Sequence, residues 1–294
     1  ITYKRNPDWW GKDLPINRGL HNFDSITVNY FGGSAVVFEA FRAGESSLWI
    51  ETNPAKWQTN FDFPAVTEGK IKLAELPHKR PSGIEGFAMN TRRPHFADWR
   101  VREALTLAFN FELVNAVLNG GAVPRIQSYL GNSPLSGQVT TPATGRVLDL
   151  LTPFAADLPP GTIDGYALPQ SDGSESNRAN LRKATALLLE AGWTVENGQL
   201  VDSTGAVFAF EILLQNGADD MIAAASIYVE ALKRLGIEAR VSTVDAALYK
   251  QRVTDFEFDM THYVRSLSLS PGNEQSLYWG AAQAAVAGSR NLAG

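Results

Sequence analysis

The sequence predicts an α/β fold, a mixed sheet flanked by helices, and three observations carry that reading. Residues 207–264 run strand, helix, strand, helix, strand with short joints, which demands crossovers and so parallel or mixed pairing. A helical stripe of Leu181, Ala184, Leu187, Leu188 and Ala191, closed by Gly192, precedes that run. The 294 residues are 44% hydrophobic and 19% charged, the balance of a chain that buries a substantial core.

Taken in order, residues 1–24 are polar and aromatic, and Pro7 and Gly11 punctuate them into an irregular packed loop. Residues 25–31 alternate as a strand. Residues 34–43 read as a helix with Ser34 as N-cap, a stripe of Val36, Val37, Ala40 and Phe41, and Gly44 at its end. Residues 71–76 and 84–90 read as strands joined through a basic turn, 77–81. Asp98 caps a helix that buries Val101, Ala104, Leu105 and Ala108, and a second helix at 111–118 stops at Gly120-Gly121. Residues 132–177 are dense in Pro, Gly, Ser and Thr and read as a long surface excursion with a short helix over 147–154.

The final third is the most regular. Strands are expected at 207–214, 237–244 and 256–264, with helices at 219–235, begun by Asp219 and ended by Gly236, and at 245–254. No short repeat or low-complexity tract interrupts the chain.

Composition narrows the function classes. The chain carries 26 Lys and Arg against 31 Asp and Glu, a net charge of -5, which argues against a phosphate-binding surface and hence against nucleic acid. It has no Cys, so thiolate metal sites, Cys nucleophiles and disulfides are excluded, and an oxidising compartment is compatible. No run of about 18 apolar residues is present to span a bilayer. The start, Ile1-Thr2-Tyr3-Lys4, lacks the pattern of a signal peptide.

Chemical motifs are sparse. The G-x-S-x-G elbow, H-E-x-x-H, the phosphate loop and the dinucleotide fingerprint are all missing. His21, His78, His95 and His262 stand apart, and no two share metal-ligand spacing. Glu257 and Asp259 point one way on a strand and read as a solvated face. Arg92-Arg93, beside Lys79-Arg80, reads as a solvated basic turn. His262 shares a strand face with Met260 and Val264 while Asp259 takes the other, which weakens a direct Asp–His couple. Accordingly no catalytic residue, metal site or cofactor is assigned.

Several segments together resemble the extracellular solute-binding proteins that serve ABC importers, the group that includes dipeptide and oligopeptide binders. They are NPDWWGKDLPINRGLHNFDSI at 6–26, VVFEAFRAGE at 36–45, GFAMNTRRPHFADWRVREALTLAFN at 86–110, NLRKATALLLEAGW at 180–193 and LKRLGIEARV at 232–241. NRGLHNFD, SPGNEQ at 270–275, YWG at 278–280 and SRNLAG at 289–294 are similar to the microcin C and oligopeptide subgroup.

The resemblance implies one lobe of a two-lobed clamp of the periplasmic-binding-protein type, which closes on a ligand by hinge motion. It implies a monomer that binds a peptide or peptide-like ligand in the periplasm, delivers it to membrane permease subunits, and neither catalyses a reaction nor contacts nucleic acid. It implies a fragment: an inter-lobe crossing segment at 1–30, the second lobe at 31–264 with its excursion, and a return segment at 265–294, the termini lying near each other. The family's ligand contacts in this lobe follow the strands at 207–214 and 256–264, which places Gln215, Asn216, Arg265, Ser266 and Ser268 in the cleft. Asn90 would face the cleft or satisfy backbone groups at its strand exit. The acidic anchor of dipeptide binders has no counterpart between Val264 and Asn273, so neutral or anionic ligand features are expected at this wall. A non-peptide solute (an oligosaccharide, metal chelate or opine-like compound) is the alternative ligand class. A hydrolase using His262 with Asp259 or Asp245 is a third reading.

Overall fold

The structure is a computed structural model that describes residues 1–137 and 139–294. The chain divides into two compact units, Ile1–Leu48 and Trp49–Gly294.

In the first unit, β1 (Thr2–Lys4) pairs antiparallel with β2 (Ser25–Thr27), with Tyr3 opposite Ile26. This two-stranded ribbon uses a partner from the stretch that the sequence marks as irregular, and the expected strand at 25–31 is cut to three residues. Helix α1 (Ser34–Arg42) follows, and Gly33, in extended backbone, occupies the N-cap position expected of Ser34. Gly44 then takes a left-handed φ of 84°.

The second unit opens with two short helices, α2 (Pro54–Thr59) and α3 (Pro64–Thr67). Asn53 caps α2 by accepting from the Ala55 and Lys56 amides, with Pro54 at the first helical position, where its missing N–H costs nothing. The strand expected at 71–76 does not form. Its apolar side chains have nothing to bury against, since Leu73 and Leu76 are 40% and 82% exposed.

Strand β3 (Ile84–Met89) and the short α4 (Pro94–Ala97) lead to α5 (Trp99–Ala108). Asp98 caps α5, accepting from the Arg100 amide, and Val101, Ala104, Leu105 and Ala108 are buried as the periodicity requires. Helix α6 (Phe111–Asn119) is capped by Asn110 and ended by Gly120 in the left-handed region. Within the excursion lie α7 (Gly145–Leu151) and a 3-10 turn at Thr152–Phe154, where a short helix is expected. Its second half is tethered: Ser171 donates to Asn110 and Glu112, and the Tyr166 hydroxyl donates to Glu103 at 2.8 Å.

Helix α8 (Arg178–Glu190) is followed by a hairpin of β4 (Thr194–Glu196) and β5 (Gln199–Val201). Asn197 and Gly198 both have positive φ, the two-residue turn that Asn-Gly favours. Then come β6 (Ala209–Gln215), α9 (Asp219–Lys233), β7 (Glu238–Val244), α10 (Ala246–Thr254), β8 (Met260–Arg265) and α11 (Glu274–Trp279). The strand expected from residue 256 starts only at Met260, because Phe256 turns the chain with φ 57°.

The central sheet has the order β3-β8-β6-β7, with β6 parallel to both β7 and β8 and β3 antiparallel to β8. Its two crossovers run opposite ways along the sheet, so a common right hand puts their helices on opposite faces. The packing agrees. Helices α5, α8 and α9 bury Ile212, Leu214 and Met260 on one face. Leu213, Phe258, Tyr263 and Leu292 pack with Tyr249 and Val253 of α10 on the other. Among the described residues no helix is long and apolar enough to cross a membrane.

Candidate functional site

In an open sheet, ligand sites form outside the carboxyl ends of parallel strands, where neighbouring connections leave for opposite faces. Here β6 departs into α9 on one face and β7 departs into α10 on the other. The carboxyl edge of β6, β7 and β8 is therefore the place to look.

The sequence fills that edge with polar groups. Gln215 and Asn216 are exposed at the exit of β6. The Asn216 amide donates to Val244 O at 2.8 Å and holds this exit against β7. Asp245 caps α10, accepting from the Ala247 and Leu248 amides, so its carboxylate is already occupied. Arg265 ends β8, with Ser266 and Ser268 exposed beyond it; Ser268 Oγ accepts from the Ser270 amide at 3.2 Å. Gln215, Asn216, Arg265, Ser266 and Ser268 are thus brought to one edge by parallel pairing of β6 and β8.

The rim is completed by segments distant in sequence. Gly83, with φ 71°, runs so close to β8 that a Cβ there would overlap the Arg265 carbonyl oxygen. The next residue back, Ser82, donates its amide to Gly131 O at 2.7 Å. Asn132 donates to His78 O and Arg80 O, which fastens the basic turn to the 128–132 loop. That loop carries Tyr129, whose ring stacks on Trp279 of α11 with centroids 5.0 Å apart and planes at 7°. Trp279 meets Tyr263 edge-on at 6.2 Å and Tyr278 at 6.1 Å. Burial raises the pKa of Tyr129 and of Tyr263, the latter partly offset by the nearby Arg265 charge.

Sequence reasoning missed this aromatic shelf. Tyr278 and Trp279 stand out only as part of a YWG match, and nothing local to Tyr129 shows that it will meet Trp279 across 150 positions.

Asn90 is not on this edge. Antiparallel pairing carries the end of β3 to the start of β8, opposite the Arg265 end. Asn90 is 1% exposed and donates to Phe256 O and Phe258 O while accepting from Arg92. Its role there is to satisfy backbone groups. Arg92 and Arg93 are not a solvated turn either. Arg92 donates to Ala284 O, Asn291 O and Leu292 O, and Arg93 donates to Phe258 O and forms an ion pair with Asp259 at 3.1 Å. Asp259 in turn accepts from the Glu211 amide at 2.9 Å, so it belongs to a network and not to an open face.

The hydrolase pairing is not assembled. His262 Nε2 lies 3.2 Å from Glu85, and that hydrogen bond holds the Glu85 carboxyl below its ordinary pKa. Asp259 is committed to Arg93 and Glu211, and Asp245 to its helix cap. A separate open groove of about 470 Å³ lies between α5 and α8, lined by Glu103, Lys183 and Glu190 among others. It sits between helices and away from the strand ends, and no reactive set converges in it.

Comparison with known proteins agrees with the fold. Bacterial extracellular solute-binding proteins, family 5 Middle, is the family whose profile matches, over residues 1–286. A binding protein of Brucella melitensis biotype 1 is 44% identical over all of this chain and 48% of its own length. The peptidoglycan-binding protein YepA of Agrobacterium fabrum is 39% identical over all of this chain and 49% of its own. The oligopeptide-binding protein AppA of Bacillus subtilis, solved with a nonapeptide, superposes with a TM-score of 0.64 at 23% identity. That match covers 92% of this chain and 45% of AppA. The chain spans about half the length of the curated relatives it matches. With this lobe-like mixed sheet and a match over nearly its whole length, the chain belongs to the bacterial extracellular solute-binding proteins, family 5.

Proposed function

We propose that this chain supplies one wall of the ligand cleft in the substrate-binding component of an ABC importer. The protein captures peptides or peptide-like compounds in the periplasm, acts as a monomer, and hands them to the permease without chemical change. In this reading residues 31–264 make up the clamping lobe, 1–30 cross between lobes, and 265–294 lead back toward the other lobe after packing along this sheet.

The observation that carries this reading is the composition of the carboxyl edge. Gln215 and Asn216 offer amides, Ser266 and Ser268 hydroxyls, and Arg265 a guanidinium, beside the Tyr129–Trp279 shelf. Such groups satisfy a peptide backbone directly or through water without demanding one side-chain sequence. Catalysis would instead require a nucleophile and base within hydrogen-bond reach. The relatives named as peptidoglycan-binding and oligopeptide-binding proteins favour a peptide-like ligand.

The test is equilibrium dialysis of the full-length protein against a mixed pool of tri- to pentapeptides, with retained species read by mass spectrometry. Retention of peptides unchanged in mass supports the proposal. Retention of no peptide, alongside capture from an oligosaccharide or metal-chelate pool, overturns it, and cleavage of the peptides overturns the binding-only reading.

A further inference from the structure

Arg265 is a cation without an anion. Its guanidinium carbon lies 4.6 Å from the Tyr263 ring centroid and 5.1 Å from that of Tyr278. Nη1 donates to Val264 O, the carbonyl of the adjoining residue, and Nη2 reaches Arg290 O only at 3.5 Å. Nε is buried and donates to nothing. None of the ion pairs among the described residues includes Arg265.

Its neighbour is in the same condition. The Tyr263 hydroxyl is buried and its proton has no acceptor; the Arg265 guanidinium beside it acts on the phenol oxygen through its charge and a side-chain hydrogen-bonding contact, which leaves that proton free. Tyrosine faces hold a cation in place without neutralising it. Folded proteins leave few buried donors unpaired, and such groups are where a missing partner is to be sought. Two such groups stand together at the carboxyl edge, and both can donate. A carboxylate offers two acceptor oxygens, matches the fork of a guanidinium, and accepts a phenol hydrogen bond as readily.

We infer that Arg265 and Tyr263 hold a carboxylate of the bound ligand, and that the side chain next to that carboxylate lies on Tyr129 and Trp279. This rests on the peptide-like reading above and narrows it to carboxylate-bearing peptides. The carboxylate comes from the peptide C-terminus or from an acidic side chain, and the two sources share this chemistry.

Four tetrapeptide pools separate them in equilibrium dialysis with the full-length protein. One has free C-termini and neutral side chains, and the second is the same pool with C-terminal amides. The third is amidated with one Glu at each position in turn, and the fourth replaces that Glu by Gln. We expect one acid pool to be retained at least about tenfold better than its amide counterpart, the size of effect that hydrogen bonds to a charged group give. Its identity reveals the source. Arg265→Gln removes the preference, Arg265→Lys keeps part of it, and Tyr263→Phe reduces it severalfold. A merely structural role would weaken acid and amide retention together and leave their ratio unmoved, whatever the variants do to folding.

Equal retention of acid and amide pools by the unaltered protein overturns the inference and leaves the peptide reading standing. So does a ratio that Arg265→Gln leaves unchanged. Retention of no pool overturns both.

Discussion

Arg92 lies with its guanidinium carbon 3.6 Å from the centroid of the Phe256 ring. The same guanidinium donates to Ala284 O at 2.7 Å, Asn291 O at 2.8 Å and Leu292 O at 3.2 Å, and to Asn90 Oδ1 at 3.0 Å. Thr91 adds a second anchor, its amide and hydroxyl both meeting Ala293 O. The segment after α11 is therefore fastened through residues 284 and 291–293 beside Asn90, near the start of β8, while Arg290 O lies 3.5 Å from Arg265. Burial lowers the Arg92 pKa but leaves it cationic at any ordinary pH.

From this geometry Arg92→Ala is expected to destabilise the protein by roughly 2–4 kcal/mol, the cost of stranding several backbone acceptors together with the lost ring contact. Arg92→Lys should recover only part, because one ammonium cannot reach the three carbonyls that the fork spans. Hydrogen exchange is the direct check: amides of 284–293 should lose protection while those of β6 keep theirs. Uniform loss across the sheet would show that the segment is not separately fastened.

His95 makes stability depend on pH. Its ring packs against Phe96, Phe208 and Phe210 at centroid distances of 4.3, 5.4 and 6.4 Å, and Nε2 is buried without a partner. Burial lowers its pKa from the ordinary 6.5, Asp259 opposes that shift, and Arg93 adds to it. The folded state thus prefers neutral His95. Below 6.5 the unfolded chain takes up the proton first, so stability present above that pH falls as pH drops toward the depressed folded value. His95→Phe should flatten this slope in denaturant titrations between pH 5 and 7. A slope unchanged by the substitution would assign it to other groups.

Much of this architecture was readable in the sequence. Asp98 sits before the buried stripe of Val101, Ala104, Leu105 and Ala108, and the β6–α9–β7–α10–β8 order follows from alternating periodicity and glycine stops. What failed depends on partners. The 71–76 segment has a strand's pattern but no neighbour to bond, while Thr2–Lys4 has no pattern and finds one in Ser25–Thr27. That Gln215, Asn216 and Arg265 share one edge was legible because each follows a strand exit directly, while their role toward a ligand rests on the resemblance. The Tyr129–Trp279 stack was not legible, since ring contacts between distant loops leave no periodic trace. Asn90 ended its strand as expected, but antiparallel pairing with β8, which the sequence does not specify, sent it to the far edge.

At the Arg265 edge the tightest steric constraint is Gly83. Its φ of 71° disfavours any side chain, and an added Cβ would overlap the Arg265 carbonyl oxygen. Gly83→Ala is expected to cost more than about 1 kcal/mol and to push β3 from β8 at that end. Nuclear magnetic resonance shifts should move at Ile84, Arg265 and Ser266 and stay fixed at Met89 and Met260, six pairs away along the ladder. A uniformly shifted β8 would mean that the strain spreads along the strand.

Asp245 offers a separable test of the neighbouring strand exit. Its carboxylate accepts from the Ala247 amide at 2.9 Å and the Leu248 amide at 3.0 Å, which satisfies two of the unpaired donors at the start of α10. Asp245→Ala should cost about 1 kcal/mol in unfolding free energy, and Asp245→Asn distinctly less, since an amide oxygen still caps. Because the carboxylate is spent on its own helix, ligand affinity of the full-length protein should be the same for Asp245→Asn as for the unaltered chain. A tenfold loss of affinity in that variant, at unchanged unfolding free energy, would instead place the Asp245 charge among the groups that meet the ligand.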